Sequence, residues 1–373
     1  MRIALVASAY RPRSDGLDRH VGKLAAAVAR RGAHVEILTQ DAGRRAARLA
    51  FHDGVPVRRF LLPVGASHGA VAPGLWDVLR RSSRAFDLVH VQTPHPSFAA
   101  VVMRIGPRSK VFTPHVPTKA LTRWPYMRVT RAVVEHAALT LCTSIAEGAS
   151  LAERIPRAAT RIGALTGGVD AAAIAGAEPF VHAGRVIFVR GPLDQCRRVD
   201  RAIGAMASLA DDYRLVIAGA GPAERRLAAH ADDLRVESRV HFVGPVGDAG
   251  LYRWLRTARV AVSLAEHGTS GIDVAEAISA GVPVVASEIP AHREAAGRAG
   301  GTGVAFVTPE GSPLEVADAI SLAAAPREPC PLAAAPPSWE TVADAMLEIY
   351  ERSLNGHARS TRPRAAPKAP ELV

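Results

Sequence analysis

The hydrophobic positions along the chain follow two alternating spacings. Short runs of β-branched and other apolar residues are followed by longer stretches in which apolar residues recur every three or four positions. This alternation predicts the strands of a parallel sheet joined by helical crossovers. In the first half, strands are predicted at residues 2–8, 34–39, 55–60, 88–91, 110–113 and 139–143, with a helix at 17–31.

The same pattern starts again after residues 171–184, an irregular segment of small residues that reads as a linker. Strands are then predicted at 186–189, 214–218, 240–243, 260–263, 282–286 and 304–307, and helices at 199–210, 222–231, 249–257, 272–280 and 313–323. A chain of 373 residues is also too long for one core. We therefore predict two α/β domains, 1–168 and 169–338, a last amphipathic helix at 339–354 and a disordered Arg-, Pro- and Ala-rich tail at 355–373.

Charge divides unevenly between the two predicted domains. Residues 1–168 hold 25 Lys and Arg against 10 Asp and Glu, a balance of +15, whereas the remainder balances at −4 and the whole chain at +11. The basic half predicts an anionic partner such as a lipid surface or a phosphorylated acceptor, and the alternative is an arginine-rich but merely solvated surface. Nucleic acid is disfavoured because aromatic residues make up only 5% of the chain.

The compartment follows from cysteine content and from the absence of long apolar runs. Three widely spaced cysteines suggest neither disulfides nor a zinc site. No run approaches the roughly 18 apolar residues of a membrane span. We expect a cytoplasmic protein that can lie peripherally on the inner membrane face.

Three glycine-containing loops follow predicted strands. The first strand leads into a loop that ends at Gly16, and another runs through Gly219 and Gly221 into Pro222. The densest segment, residues 264–287, reads LAEHGTSGIDVAEAISAGVPVVAS. Its helix, beginning near Gly271, offers free N–H groups to a phosphate, and Glu276 lies just over one turn further, where it could accept hydrogen bonds from ribose hydroxyls. A glutamate inside so apolar a helix also needs a partner.

Residues 1–354 as a whole resemble the retaining GT-B glycosyltransferases of family 4, also called glycosyl transferases group 1. The segments that carry this resemblance are residues 276–287, 217–222, 243–245 and 168–170. The resemblance implies two Rossmann-like domains facing across a cleft, with the last helix returning to the first domain. It also implies a donor site in the second domain and an acceptor site in the first.

The resemblance assigns roles to individual residues. Glu276 matches the second glutamate of the family's E-x7-E motif, which holds the nucleotide ribose, and His115 matches a histidine near the reacting sugar. Arg197 matches the lysine that neutralises the leaving diphosphate. The resemblance also implies that the donor is contacted by the backbone at six further positions, which are Gly16, Gly219, Gly221, Gly244, Gly271 and Ile272.

Two departures from the family pattern fall on the predicted donor site. Gly268 stands where the first glutamate of E-x7-E is expected, and Pro192 replaces an arginine. An active enzyme would then need local substitutes, for which Glu266 and Arg190 are the candidates, because each lost contact to developing charge lowers the rate by about 10²–10³.

The resemblance therefore implies a sugar transferase with a nucleoside diphosphate sugar as co-substrate. Transfer would proceed to a hydroxyl acceptor with retention of configuration, without metal or other cofactor, in glycolipid or cell-envelope synthesis. A non-catalytic protein that binds a nucleotide sugar or a partner is the alternative, since Gly268 and Pro192 both remove donor contacts. A third reading is another GT-B enzyme, such as a sugar-nucleotide epimerase.

Overall fold

The protein, described here from a computed structural model, divides into two compact units. One combines Met1–Gly167 with the C-terminal segment from Trp339, and the other is Gly168–Ser338. The structure describes residues 1–10, 16–41, 48–63, 65–66, 69–81, 85–107, 109–182, 184–268, 270–298, 300, 303–325 and 335–359.

The N-terminal unit is built on an eight-stranded sheet with the order β3-β4-β2-β1-β5-β6-β7-β8. Its strands are β1 (Arg2–Ala7), β2 (His34–Asp41), β3 (Leu49–His52), β4 (Val55–Leu61), β5 (Leu88–Thr93), β6 (Ser109–Pro114), β7 (Leu139–Cys142) and β8 (Ile162–Ala164). All neighbours are parallel except the β3–β4 hairpin. The central strands are buried on both faces, which is why β1 reads as a continuous apolar run from Ile3 to Ala7.

Helices cover this sheet on its two faces. They are α1 (Gly16–Arg30), α2 (Pro73–Arg81), α3 (Pro96–Val102), α4 (Thr118–Leu121), α5 (Tyr126–His136) and α6 (Ile145–Arg154). The apolar face of α1 carries Val21, Leu24 and Val28, which pack on Leu5 and Ile37 from β1 and β2. The opposite face of the sheet forms a separate core with α2, α3 and α5.

The C-terminal unit has a six-stranded, all-parallel sheet with the order β11-β10-β9-β12-β13-β14. Its strands are β9 (Arg185–Arg190), β10 (Tyr213–Ala218), β11 (Val240–Gly244), β12 (Val260–Ser263), β13 (Val284–Ser287) and β14 (Val304–Val307). Its helices are α7 (Ala171–Ala175), α8 (Val199–Ala205), α9 (Glu224–Asp233), α10 (Asp248–Thr257), α11 (Ile272–Ser279), α12 (Pro290–Arg298) and α13 (Pro313–Ala323). The strand order reverses between β9 and β12, where doubly wound sheets bind their ligands.

The last helix, α14 (Trp339–Arg359), belongs to the N-terminal unit. Its apolar residues Trp339, Met346 and Tyr350 are buried against α1 and the sheet. Arg31 on α1 binds Asp344 on α14 through two hydrogen bonds of 2.5 and 2.7 Å. The helix is thereby held by both packing and charge.

The structure corrects several predictions about individual elements. The linker prediction at 171–184 missed α7, and the first-half predictions missed β3, β8 and α2–α6. The last helix does not end at residue 354 but continues to Arg359, because Asn355 and Gly356, although poor helix formers, extend an existing helix rather than start one. The remainder of the predicted tail, from residue 360, lies outside the described residues.

The length and hydropathy of the helices decide whether one could span a bilayer. No helix within the described part of the chain is both long and apolar enough to cross a membrane.

Candidate functional site

The predicted donor-site residues of the C-terminal unit meet at the carboxyl ends of β9 and β12. Arg190 ends β9, the loop carrying Arg197 precedes α8, and the segment after β12 leads through Gly271 into α11. This edge of the sheet is the point where the strand order reverses, so the topology places the site where a ligand is expected.

Glu276 and Arg190, both predicted from sequence, bind each other. Arg190 donates a hydrogen bond of 2.5 Å to the Glu276 carboxylate. The glutamate side chain is 2% exposed and that of the arginine 18%. This contact supplies the partner that a buried carboxylate on an apolar helix requires. Arg190 is therefore engaged by the residue that the resemblance assigns to ribose.

Arg197 forms a second ion pair, with Asp273 in the first turn of α11. The Arg197 Nη1 to Asp273 Oδ2 distance is 2.9 Å, and the Ser263 hydroxyl donates to the same oxygen at 2.6 Å. Burial is the largest single effect and raises the pKa of Asp273, but the charges of Arg197, His292 and Arg190 and the Ser263 hydrogen bond together outweigh it and hold that pKa well below its ordinary value. Asp273 is thus a carboxylate under neutral conditions.

Three residues of this site, Asp273, Ser263 and His292, were not predicted from the sequence. Ser263 lies 3.3 Å from His292 Nε2, and the other ring nitrogen of His292 lies 2.9 Å from the Ser287 carbonyl oxygen. A signal was available, because an acidic residue in the first turn of a helix is favoured by the helix dipole and marks its N-terminus. That signal identifies the carboxylate but not the arginine it binds.

Glu266, the predicted substitute for the missing glutamate, binds a third arginine. Arg198 donates to Glu266 at 2.8 Å and is also paired with Asp200. The Glu266 backbone N–H donates to the Cys196 carbonyl at 2.9 Å, which fixes the loop after β12 to the loop before α8. Glu266 is 35% exposed, so its carboxylate remains accessible from solvent.

All three arginines of this cluster are therefore already paired with carboxylates of the same unit. The cluster contains Arg190, Arg197 and Arg198 together with Glu276, Asp273, Glu266 and Asp200. A diphosphate that binds Arg197 must replace the Asp273 carboxylate as its partner or share the guanidinium with it. The arrangement is chemically able to bind an anion, but only in competition with these carboxylates or by sharing a guanidinium with them.

A small cavity lies beneath these ion pairs. It has a volume of about 20 Å³ and is lined by Arg190, Ser263, Asp273 and Glu276 together with apolar residues of the sheet and α10. This volume is enough for a single water molecule, whereas small-molecule pockets measure roughly 300–1,000 Å³. A nucleotide would therefore have to lie on the open side of the cluster.

Gly219 and Gly221 allow two loops of the C-terminal unit to touch. A Cβ atom on Gly221 would lie 2.2 Å from the Leu193 carbonyl oxygen, and one on Gly219 would lie 2.9 Å from Gly191 Cα. The space left by the missing side chains of Gly219 and Gly221 is therefore taken up by the backbone of the neighbouring loop. Gly244 accepts a hydrogen bond from the Gly219 N–H at 2.8 Å.

Gly271 and Gly268 lie in the loop before α11, where neighbouring residues leave little room for a side chain. Gly271 caps α11 with a left-handed φ of 58°, and its Cβ would lie 2.4 Å from the Ala291 carbonyl oxygen. A Cβ on Gly268 would lie 3.1 Å from the Ile289 side chain. A longer side chain at position 268 would therefore require Ile289 to move. Ile272 is half-buried at the start of the helix.

In the N-terminal unit, the predicted His115 is part of a cluster of neutral imidazoles. Its Nε2 lies 3.0 Å from Gln92 Oε1, and its ring packs edge-on against His20 at 5.1 Å. The ring of His20 also packs against Trp339 of α14. Burial lowers the pKa of His20 to about 4, and burial together with the nearby His20 and His90 lowers the pKa of His115 well below its usual value.

His90 occupies a deeper position in the same unit. It is fully buried, with hydrogen bonds of 2.7 Å to the Tyr350 hydroxyl and 2.8 Å to the Thr113 hydroxyl. Burial, reinforced by His20, lowers its pKa to about 3. His90 therefore connects β5 and β6 to α14 as an uncharged group.

The predicted loop before α1 can be located only at its end. Gly16 begins α1, whereas residues 11–15 lie outside the described part of the chain.

Comparisons with known proteins agree with this architecture. The family model described as "Glycosyltransferase Family 4" matches residues 14–173, and the one described as "Glycosyl transferases group 1" matches residues 184–325. A phosphatidyl-myo-inositol mannosyltransferase of Mycobacterium leprae is 28% identical over 345 residues, which are 86% of each chain. A GDP-mannose-dependent alpha-(1-6)-phosphatidylinositol dimannoside mannosyltransferase of Mycobacterium tuberculosis is 37% identical over 122 residues, covering 31% of this chain and 28% of that protein.

Solved structures show the same fold. Sucrose-phosphate synthase from Thermosynechococcus elongatus superimposes with a TM-score of 0.75 at 18% identity, over 95% of this chain and all of that one. Two parallel-sheet domains with this likeness confirm the predicted GT-B fold class. Both units, each matched by its own family model, thus identify the chain as a member of the family 4, or group 1, glycosyltransferases.

Proposed function

We propose that the protein is a retaining mannosyltransferase that moves mannose from GDP-mannose to a hydroxyl group of a phosphatidylinositol-type lipid. The choice of donor and acceptor is supported by the names of the mycobacterial relatives, one of which spans 86% of this chain. The acceptor is anionic and amphipathic. An anionic acceptor also agrees with the charge balance of +15 in the first 168 residues, because opposite charges attract.

The observation that carries the proposal is the convergence of Arg190 and Arg197 on α11, where they pair with Glu276 and Asp273. Guanidinium groups and the free N–H groups of a helix N-terminus are the features that stabilise a leaving diphosphate without a metal ion. In this proposal the diphosphate replaces Asp273 as the partner of Arg197. Glu276, held by Arg190, accepts hydrogen bonds from the ribose hydroxyls.

His115 serves the N-terminal side of the reaction as a neutral imidazole. Its depressed pKa excludes a protonated, cationic role near neutral pH. A neutral imidazole can donate one hydrogen bond and accept another, and His115 already uses Nε2 toward Gln92. We therefore assign it to orienting a sugar hydroxyl rather than to stabilising charge.

The N-terminal unit also has a groove suited to an amphipathic anion. It measures about 490 Å³ and is lined by Arg48, Arg58 and Arg59 together with Leu49, Phe60 and Leu61. Arginines beside apolar side chains can bind a phosphorylated headgroup and the first methylene groups of its lipid. This lining supports the proposed acceptor class, and in this proposal the protein works at the cytoplasmic membrane face.

One observation favours a second candidate, a non-catalytic protein of the same family that binds a nucleotide sugar or a partner. Every arginine of the donor cluster is satisfied by an internal carboxylate, and Ile289 occupies the space beside Gly268 where a first glutamate would project. Such a site is stable without a ligand. A protein of this kind would bind nucleotide but transfer nothing.

Thermal shift with GDP, UDP, ADP and their sugar conjugates separates these readings from a protein with no nucleotide site. A ligand at 100 times its dissociation constant stabilises the folded state by about 2.7 kcal/mol. The proposal predicts a shift with GDP and GDP-mannose that Arg197→Ala abolishes. Arg185→Ala is the matched control, because Arg185 starts the same strand that Arg190 ends and pairs with Asp212 at the other edge of the sheet.

Transfer then distinguishes an enzyme from a binding protein. GDP-mannose should be consumed only when phosphatidylinositol vesicles are present, and NMR of the product should show the α-configuration of the donor. Consumption that EDTA prevents would contradict the metal-independent mechanism. Conversion without acceptor would indicate an epimerase, and binding without conversion would indicate the non-catalytic reading.

A further inference from the structure

We infer that residues 118–131, which comprise α4, the turn that follows it and the first half of α5, form the surface through which the protein binds an anionic lipid bilayer. This inference rests on the proposed lipid acceptor, because that acceptor resides in a membrane. It goes further by assigning the contact to one segment. We call residues 118–131 the docking segment.

The most exposed indole of the protein lies in the docking segment. Trp124 is 86% exposed and Tyr126 is 49% exposed, side by side in the turn and at the start of α5. Large aromatic side chains normally bury most of their surface when a protein folds. An aromatic side chain exposed to this extent leaves apolar surface in water and does not stabilise the fold. Tryptophan and tyrosine are the residues enriched where proteins meet the membrane interface.

Positive charge surrounds these two aromatic side chains. Lys119, Arg123, Arg128 and Arg131 are all exposed, and residues 118–134 contain no aspartate or glutamate. These four cations have no ion-pair partner among the residues that the structure describes. On α2, by contrast, Arg80 and Arg81 are both paired with Asp77. The docking segment therefore offers net charge that an anionic lipid headgroup can neutralise.

The docking segment is fixed to the protein from its inner side. The Thr118 N–H and hydroxyl donate to Glu147, at 2.5 Å to the carboxylate and 3.1 Å to the carbonyl. The Thr130 hydroxyl donates to the Leu121 carbonyl at 2.7 Å, and Leu121 and Val133 are buried. The internal contacts of α4 and α5 are thus complete without Trp124 or Tyr126. Their exposure is a property of a well-anchored segment.

Position along the chain connects the docking segment to the proposed chemistry. Only two residues separate Thr118 from His115, which begins the loop after β6. A bilayer contacted by Trp124 would bring lipid headgroups to the same end of β6 that carries this histidine. A membrane-bound acceptor would then reach the N-terminal unit without leaving the bilayer.

Vesicle sedimentation of the full chain tests the inference without any nucleotide sugar. We expect wild-type protein to bind vesicles of phosphatidylcholine with 30% phosphatidylglycerol and to be released by high salt. Each basic residue near an anionic surface contributes about 1 kcal/mol, so Arg128→Gln with Arg131→Gln should weaken this binding by about 30-fold. Trp124→Ala should weaken it further and also reduce the binding that remains in high salt.

A matched pair of charges provides the control. Arg225 and Arg226 are exposed on α9 of the other unit, and the double change to glutamine there removes the same charge. Leu322→Ala, on α13 at 63% exposure, matches the loss of apolar surface. We expect both controls to bind within twofold of wild type. Equal losses in the control and test variants would overturn the inference, because attraction would then come from overall charge.

Two further outcomes would also overturn it. Unchanged vesicle binding by the Arg128 and Arg131 variant would exclude the docking segment, and reduced binding to single-stranded DNA with intact vesicle binding would make it a nucleic-acid surface. GDP-induced thermal shifts, measured on the same variants, keep the tests separate. A variant that loses vesicle binding but keeps its GDP-induced thermal shift has lost only the function of the docking segment. A wild-type protein that shows no GDP-induced shift would instead contradict the proposed function.

Discussion

The ion pair between Arg190 and Glu276 makes a stability prediction that differs for its two members. The glutamate side chain is 2% exposed, whereas the arginine side chain is 18% exposed. Arg190→Ala therefore leaves a carboxylate in a site that water hardly reaches. Glu276→Gln leaves a guanidinium that can still turn toward solvent and an amide oxygen that can still accept its hydrogen bond.

The size of the difference follows from the cost of breaking a buried ion pair. Removing one partner of a buried pair lowers the free energy of unfolding by about 3–5 kcal/mol, and losing one ordinary hydrogen bond by about 1 kcal/mol. Since whole domains are stable by about 5–15 kcal/mol, Arg190→Ala should bring the C-terminal unit close to unfolding. Glu276→Gln should leave it well folded.

Native-state hydrogen exchange measures this effect in one unit at a time. A two-domain protein does not give a single unfolding transition, so peptides from β9 and α11 should be followed separately from those of β1 and β5. Arg185→Ala is the control, because it breaks an exposed pair on the same strand and should change little. Our reasoning would be refuted if Glu276→Gln destabilised the unit as much as Arg190→Ala, or if Arg190→Ala changed it by less than about 1 kcal/mol.

Three other changes have defined outcomes. Asp273→Asn removes the carboxylate that competes for Arg197 and should raise the affinity for GDP about tenfold by calorimetry, whereas weaker binding would mean that Asp273 positions the arginine. His20 and His90 have folded pKa values of about 4 and 3, so they bind protons less readily than in the unfolded chain. The free energy of unfolding should therefore be highest above pH 6.5 and fall by about 2 kcal/mol per histidine between pH 6.5 and 5. A free energy of urea unfolding that does not change over this range would contradict their burial as neutral groups. Gly221→Ala, which places a Cβ against the Leu193 carbonyl, should destabilise by more than about 2 kcal/mol in thermal unfolding, while Gly297→Ala, with open space around it, should be neutral or stabilising.

Strands were more predictable from the sequence than helices. Buried parallel strands such as β1 are apolar over nearly their whole length and leave a distinct signal, and the strands at 260–263 and 304–307 were predicted to the residue. β3 was missed because it has four residues, and its apolar run of three, Leu49–Phe51, is too short to indicate a strand. Short helices such as α3, with seven residues, are too brief for their periodicity to stand out.

The candidate site could be predicted as a set of residues but not as a set of contacts. Glu276, Arg190, Arg197 and Glu266 lie in one region of the C-terminal unit, as the motifs indicated. Their pairing depends on which side chains face each other across loops 68 to 86 residues apart in sequence, and no local pattern encodes that. Asp273 was missed for the same reason, because its importance arises from Arg197.

The central claim is tested most directly by transfer of radiolabelled mannose from GDP-mannose into chloroform-extractable lipid on phosphatidylinositol vesicles. Wild-type protein and Arg185→Ala should both label the lipid, and Arg197→Ala should reduce the rate by about 10²–10³ while remaining folded. No labelled lipid from a folded wild-type protein that still binds GDP would contradict the proposed transfer. Equal rates for Arg197→Ala and Arg185→Ala would contradict the proposed donor site.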